Sequence, residues 1–191
     1  MIKLDVLAIG SFKRDEEGKI YDACSTSVLI RTDERLIVVD TSTEYLRPAI
    51  KTAFKQIGVF PSDVDTVILT HSHHDHIGNN DMFENAVILM HPAEPGKVDG
   101  AKPLEAGKEM LPGIKIVHTP GHTEGSVSVF IKSDQKYVIA GDALPRHNNY
   151  LNKTPPAIHI DKELALESIK MITKYADVII PGHDPPFLVN R

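Results

Sequence analysis

Four short apolar runs rich in β-branched residues each give way, within five residues, to a side chain that binds metals. Thr66–Leu69 leads to Thr70-His71-Ser72-His73-His74-Asp75-His76, and Ile114–Val117 leads to Thr119-Pro120-Gly121-His122. Val138–Ala140 leads to Gly141-Asp142, and Val178–Ile180 to Pro181-Gly182-His183. Runs of this kind read as strands. In α/β folds the loops at the carboxyl ends of strands converge on binding sites, so four such ends are expected at one edge of the molecule. Gly121, Gly141 and Gly182 stand directly before a candidate ligand, where backbone freedom lets the chain turn a side chain inward.

Further runs at Leu4–Ile9, Ser27–Ile30, Leu36–Val39, Ala86–Met90 and Val127–Ile131 complete the strand set. Two segments have helical spacing: Glu44–Ile57, ended by Gly58, and Lys162–Tyr175, opened by Asp161 as N-cap. Hairpins pairing Ser27–Ile30 with Leu36–Val39, and Val127–Ile131 with Val138–Ala140, point to two mixed sheets with helices outside them. The expected fold class is α/β, a four-layer αββα sandwich. No linker, repeat or low-complexity tract divides the chain, so residues 1–191 are expected to form one domain. The Pro- and Gly-rich stretches 91–113 and 143–160 read as irregular loops flanking the ligand-bearing ends.

Composition removes several classes of function. The chain is 41% hydrophobic and 25% charged, which is the balance of a folded domain rather than a disordered one. A formal charge of -5 argues against an electrostatic nucleic-acid binder. No apolar run approaches the roughly 18 residues that span a bilayer, and Met1–Gly10 lacks signal-peptide features, so a cytoplasmic protein is expected. Cys24 is the only cysteine, which leaves nitrogen and oxygen donors for any metal.

Ten histidines in 191 residues are the compositional anomaly. His91, His118 and His159, each taken alone, read as ordinary surface or packed histidines. The group His71, His73, Asp75 and His76 does not, because burying three imidazoles and a carboxylate together without a cation is costly. In an extended chain the period of two sends His71 and His73 to one side, toward one ion. A turn then brings Asp75 and His76 round toward a second. His122, Asp142 and His183 are the candidates to complete both sites.

These residues closely resemble the signature of the metallo-β-lactamase superfamily: His-x-His-x-Asp-His, then a distal His, an Asp and a final His. The resemblance spans nearly the whole chain and implies the αββα sandwich. It implies that His71, His73 and His122 bind one metal, that Asp75, His76 and His183 bind the other, and that Asp142 bridges them. Asp40, closing Leu36–Val39, matches the family's upstream aspartate and is expected to support the site. Asp142 stands where common β-lactamases carry cysteine, so penicillin cleavage is not expected. His73 stands where flavodiiron proteins carry Glu. The length leaves no room for the extra helical domain of glyoxalase II, whose ligand set is otherwise alike, or for a β-CASP insertion.

Five imidazoles and two carboxylates suit two zinc ions, and iron or manganese accept the same donors. A water shared by two such ions is ionised near neutral pH, which implies a hydrolase in which bridging hydroxide attacks a small ester, thioester or lactone. Asp75 is the expected catalytic residue, orienting the nucleophile and moving its proton. His147, Tyr150 and His74 are candidate leaving-group acids. Phe12 and Tyr21, in a hairpin spanning Ser11–Asp22, are candidates to cover the metals, with ordinary packing as the alternative. Phosphodiester cleavage on the same site is a second reading, with Arg146, Lys153, Lys97, Lys102 and Lys108 as candidate phosphate contacts. A third is a mono-iron persulfide dioxygenase built on His71, His122 and Asp142. The expected partner is a small-molecule substrate, with no membrane and with nucleic acid not favoured.

Overall fold

Every apolar run singled out above is a strand in the computed structural model, which describes residues 1–190. In chain order the strands are β1 (Lys3–Ala8), β2 (Ser11–Arg14), β3 (Ile20–Cys24), β4 (Ser27–Arg31), β5 (Leu36–Val39), β6 (Thr66–Leu69) and β7 (Val87–Met90). They continue as β8 (Lys102–Pro103), β9 (Glu109–Leu111), β10 (Ile114–His118), β11 (Val127–Lys132), β12 (Lys136–Gly141), β13 (Val178–Pro181) and β14 (Phe187–Leu188). The α-helices are α1 (Arg47–Ile57), α2 (His74–Ile77), α3 (His147–Asn152) and α4 (Lys162–Tyr175).

The expected helix over Glu44–Ile57 is shorter, and its first turn is a 3-10 turn at Glu44–Leu46. Pro48 has no N–H to return to the carbonyl four residues back, so the α-helical ladder cannot extend over Glu44. Gly58 closes α1 in the left-handed region at φ 69°. At the start of α4, Asp161 accepts from the Leu164 amide at 2.9 Å.

One six-stranded sheet has the order β1-β4-β5-β6-β7-β8, the other β14-β13-β12-β11-β10-β9, and β2-β3 forms a separate hairpin. Both predicted hairpin pairs are antiparallel neighbours, β4 with β5 and β11 with β12. Three apolar clusters set the order of the layers. Ile50 and Phe54 of α1 pack with Leu29, Val38 and Val67 on one face of the first sheet. Val28, Ile30, Ile37 and Ile68 on its other face meet Ile116, Val129, Ile139 and Ile180 of the second sheet. Ile169 and Ile172 of α4 then cover Phe130, Val138 and Ile179 on the far face of that sheet. Helix, sheet, sheet and helix follow from the alternation of side chains along each strand.

Two expected loops contain regular structure. Within 91–113 lie the short edge strands β8 and β9, and within 143–160 lies α3, which stops at Lys153 in the left-handed region at φ 52°. Its sequence, His-Asn-Asn-Tyr-Leu-Asn, has weak helical propensity and is held by ring packing of His147 on Phe187 at 4.2 Å.

Strand direction gathers the candidate residues. β5 and β6 run parallel, so Asp40 and the His71 segment emerge side by side. β12 and β13 are parallel, and β10 shares their direction through the antiparallel β11, so His122, Asp142 and His183 emerge together. The Val127 amide donates to the Thr70 carbonyl at 2.9 Å, tying the two sheets at this edge. Among the described residues no helix is long and apolar enough to cross a membrane.

Candidate metal centre

The chain leaves β6 after Leu69, bends at Thr70 and His71, is extended at His73 and turns into α2, so that Asp75 and His76 approach from another side. Three groups of donor atoms result, each mutually within 4.8 Å: His71, His73 and His122; His71, His76 and Asp142; and Asp75, His76 and His183. All seven candidates are brought into one cluster. Asp142 reaches both ends of it, with Oδ2 at 3.5 Å from His122 Nε2, and Oδ1 at 3.5 Å from His76 Nε2 and 3.1 Å from His183 Nε2.

Four of the five rings, all but His73, are held by the nitrogen that faces away from the cluster. His122 Nδ1 donates to the Ile158 carbonyl at 2.7 Å, and His183 Nδ1 to the Cys24 carbonyl at 2.8 Å. His76 Nδ1 lies 2.7 Å from Asp40 Oδ2. Thr70 donates its amide and its hydroxyl to Asp40, each at 2.7 Å, which leaves its oxygen to accept from His71 Nδ1 at 3.1 Å. These bonds fix the tautomers and aim the remaining nitrogens inward, as outer partners of metal-binding histidines do. Asp40, at φ 56°, is one of three described non-glycine residues in the left-handed region. That conformation is sparsely populated for such residues and turns the carboxylate between His76 and Thr70.

The inward geometry suits cations. His71 Nε2 and His122 Nε2 are 3.2 Å apart, and each ring has committed its other nitrogen as donor, so two lone pairs face each other. Only a positive charge between them relieves this. His76 Nε2 and Asp142 Oδ1 are buried with no hydrogen-bond partner among the described residues, a costly state for polar atoms that coordination would end. Nitrogen and carboxylate oxygen are the donor set of divalent zinc, with manganese and iron compatible.

Electrostatics divide the rings of the metal-free chain. Burial pushes the His71 pKa well below its usual range, and the like-charged His76 adds to this. Burial also opposes a proton on His76, but the Asp40 and Asp142 carboxylates override it and hold that ring well above the usual value. Burial opposes charge on His183 too, and Asp142 again outweighs it, raising the pKa. For Asp142 burial works toward the neutral acid, and the His183 and His76 rings reverse it, leaving a carboxylate well below its usual range.

Two glycines are demanded here for different reasons. Gly121, at φ 123°, lets the chain pass so close to α4 that a Cβ would lie 2.3 Å from the Ala165 nitrogen. A Cβ on Gly182 would lie 2.2 Å from Asp142 Oδ1. Gly182 is therefore glycine for space rather than for backbone freedom, whereas Gly121 and Gly141 (φ 52°) also occupy positive φ.

A cavity of about 450 Å³ opens on His73, Asp75, His122, Asp142 and His183. Its walls come from the hairpin, through Phe12, Arg14 and Ile20, and from the 143–160 segment, through Arg146, Asn149, Pro155, Pro156 and Ile158. Phe12 stands edge-on to His183 at 5.4 Å, so it covers the cluster. Tyr21 is exposed beside a neighbouring groove that also includes His74. His147 and Tyr150 do not line the cavity; they stack toward Phe187, and Tyr150 Oη donates to the Asn190 carbonyl at 3.2 Å. Of the candidate phosphate contacts, only Arg146 lines it.

The 91–113 segment forms no wall. Its contribution is Glu94, which the sequence reading passed over. Glu94 is buried, with Oε2 accepting from the Ser72 amide at 2.9 Å and hydroxyl at 2.8 Å, and Oε1 accepting from the Thr123 hydroxyl. One carboxylate thus joins the residue between His71 and His73 to the residue after His122. Nothing in its local pattern, a lone acid in a Pro/Gly-rich stretch, marked it.

Comparison with known proteins agrees with this architecture. The family model described as "Metallo-beta-lactamase superfamily" matches residues 24–97 and 87–183. A "Probable metallo-hydrolase" of Methanocaldococcus jannaschii is 43% identical over 169 residues, covering 88% of this chain and 81% of that protein. An N-acyl homoserine lactonase of a Bacillus species is 32% identical over 150 residues, covering 68% of this chain and 60% of that protein. The crystal structure of a candidate metallo-beta-lactamase from Thermotoga maritima superposes with a TM-score of 0.81 over 98% of this chain and 99% of that one, at 20% identity, which is a likeness of fold. The chain belongs to the metallo-beta-lactamase superfamily.

Proposed function

We propose that this chain, a metal-dependent hydrolase, cleaves a small ester, thioester or lactone with two divalent cations. His71, His73 and His122 would hold one, Asp75, His76 and His183 the other, and Asp142 both. The observation that carries the reading is the convergence of seven donor residues, two of them with a buried, unpartnered donor atom and five of them lining a cavity of small-molecule size. Two cations there would acidify a water and polarise the scissile carbonyl oxygen.

The chain's own groups do the rest. Asp75 Oδ2 lies 3.4 Å from His183 Nε2, and the side chain borders the cavity, so this carboxylate is placed to take a proton from the attacking water and return it to the leaving oxygen or sulfur. Phe12, Pro155, Pro156 and Ile158 restrict bulk water around the reacting bond. Water is added across the bond, giving a carboxylic acid and an alcohol or thiol. Kinship with a lactonase supports an acyl substrate, and a cavity of about 450 Å³ suits one better than a polynucleotide.

The test is elemental analysis of protein purified without added metal, followed by a panel of thioesters, lactones, β-lactams, phosphodiesters and persulfides. Two bound metals with ester or thioester turnover that falls by about 100-fold or more in Asp75→Asn supports the proposal. One iron with oxygen uptake on a persulfide, or turnover of phosphodiesters alone, overturns it. Full turnover and two tightly held metals in Asp142→Ala would refute the shared role of Asp142.

A further inference from the structure

We propose that Arg14 and Arg146 form an oxyanion subsite at the outer end of the cavity, and that the substrate is an acyl compound carrying a carboxylate or phosphate at the end remote from the scissile bond. This rests on the hydrolytic reading above and names its substrate class.

The guanidinium carbons of Arg14 and Arg146 lie 5.1 and 4.9 Å from the centroid of the Phe12 ring. That ring in turn stands over His183. Two cations are thus gathered one aromatic ring away from the metal-binding cluster, and both line the cavity that opens on it. Gathering like charges at one ring is unfavourable without a counter-ion, and the chain supplies little. Among the described residues no carboxylate pairs with Arg14, whose guanidinium donates to the Gly18 carbonyl. Arg146 meets Asp184 through Nε alone, at 3.4 Å.

The net charge of -5 makes this local concentration of positive charge more pointed. Arg14 Nη1 is engaged with the Gly18 carbonyl, which leaves Arg14 Nη2 and both terminal nitrogens of Arg146 for carboxylate or phosphate oxygens. Ile20, Pro155, Pro156 and Ile158 line the same cavity and give it an apolar wall suited to methylenes. Cation–π packing holds both guanidiniums at Phe12 although they come from separate segments, the β2–β3 hairpin and the 143–160 segment, which converge on the cavity.

The experiment compares glutaryl and pentanoyl thioesters of one thiol, which differ at the far end by carboxylate against methyl, on the metal-loaded enzyme. A third thioester ending in a phosphomonoester distinguishes the two oxyanions. The wild type is expected to favour an anionic acyl group over the neutral one by about tenfold or more in kcat/KM, with the difference in KM. Arg14→Gln and Arg146→Gln should each lower that ratio, the double variant should remove it, and Arg146→Lys should restore part of it. A ratio near one in the wild type, or an anionic preference undiminished in the double variant, overturns the proposal.

If no thioester is turned over, the hydrolytic reading fails while the subsite is still decided by calorimetric titration of the metal-free protein with glutarate and with inorganic phosphate. Binding that weakens in the double variant supports the subsite; no binding, or equal binding by both proteins, refutes it.

Discussion

The Asp40 carboxylate lies 2.7 Å from His76 Nδ1 and holds both Thr70 donors, so one buried acid orients His76 directly and His71 through a hydroxyl. Replacing it with Asn keeps the shape but sets an amide N–H against either His76 or Thr70. Asp40→Asn should weaken the tighter-bound metal by about 10- to 100-fold while the protein stays folded. Competition with a chromophoric chelator measures this, and unchanged affinities would show that Asp40 is only a strand-end turn.

Glu94 connects the segments that carry His71, His73 and His122 without touching a metal donor. Glu94→Gln retains one acceptor and loses the charge. We expect about a tenfold loss of affinity at one of two metal sites and an altered visible spectrum of the cobalt-substituted protein. Equal weakening at both sites, or identical spectra, would mean that Glu94 serves only general packing.

The Gly182 position leaves no space for a methyl group beside Asp142. Gly182→Ala should therefore displace the Asp142 carboxylate and abolish stoichiometric binding of two metals. Gly182 is not among the residues at positive φ, so alanine brings no left-handed strain, and the Gly141 backbone at 3.0 Å from the new Cβ has only to give by a few tenths of an ångström for the variant to fold. Metal content against circular dichroism separates the two effects.

Metal loading should expel protons. His76 and His183 have raised pKa values in the metal-free chain, while coordination requires neutral rings. The raised values mean that protons compete with a cation for these rings, so apparent affinity falls as pH falls. Calorimetry in buffers of different ionisation enthalpy should show net proton release; the same heat in every buffer would contradict the assigned charge states.

Much of this site was legible because metal donors are rare residue types placed at strand ends, where periodicity announces them. His71, His73, Asp75 and His76 share one short motif, and His122, Asp142 and His183 each follow a strand that parity and apolar content identify. Residues whose roles depend on distant partners left no such trace. Glu94 works through hydroxyls 22 and 29 positions away, and Phe12 acquires its place only when the hairpin folds over His183. α3 escaped notice because ring packing rather than helical propensity holds it, and the constraint on Gly182 is a steric one imposed by Asp142.

The donors come from both halves of the sandwich: His71, His73, Asp75 and His76 follow the first sheet, and His122, Asp142 and His183 follow the second. A cation pair held as proposed would consequently add a cross-link between halves already joined by apolar side chains and by hydrogen bonds such as that from the Val127 amide to the Thr70 carbonyl. Melting should then become a function of free metal concentration, and a chelator should act on this protein as a denaturant applied at a single seam.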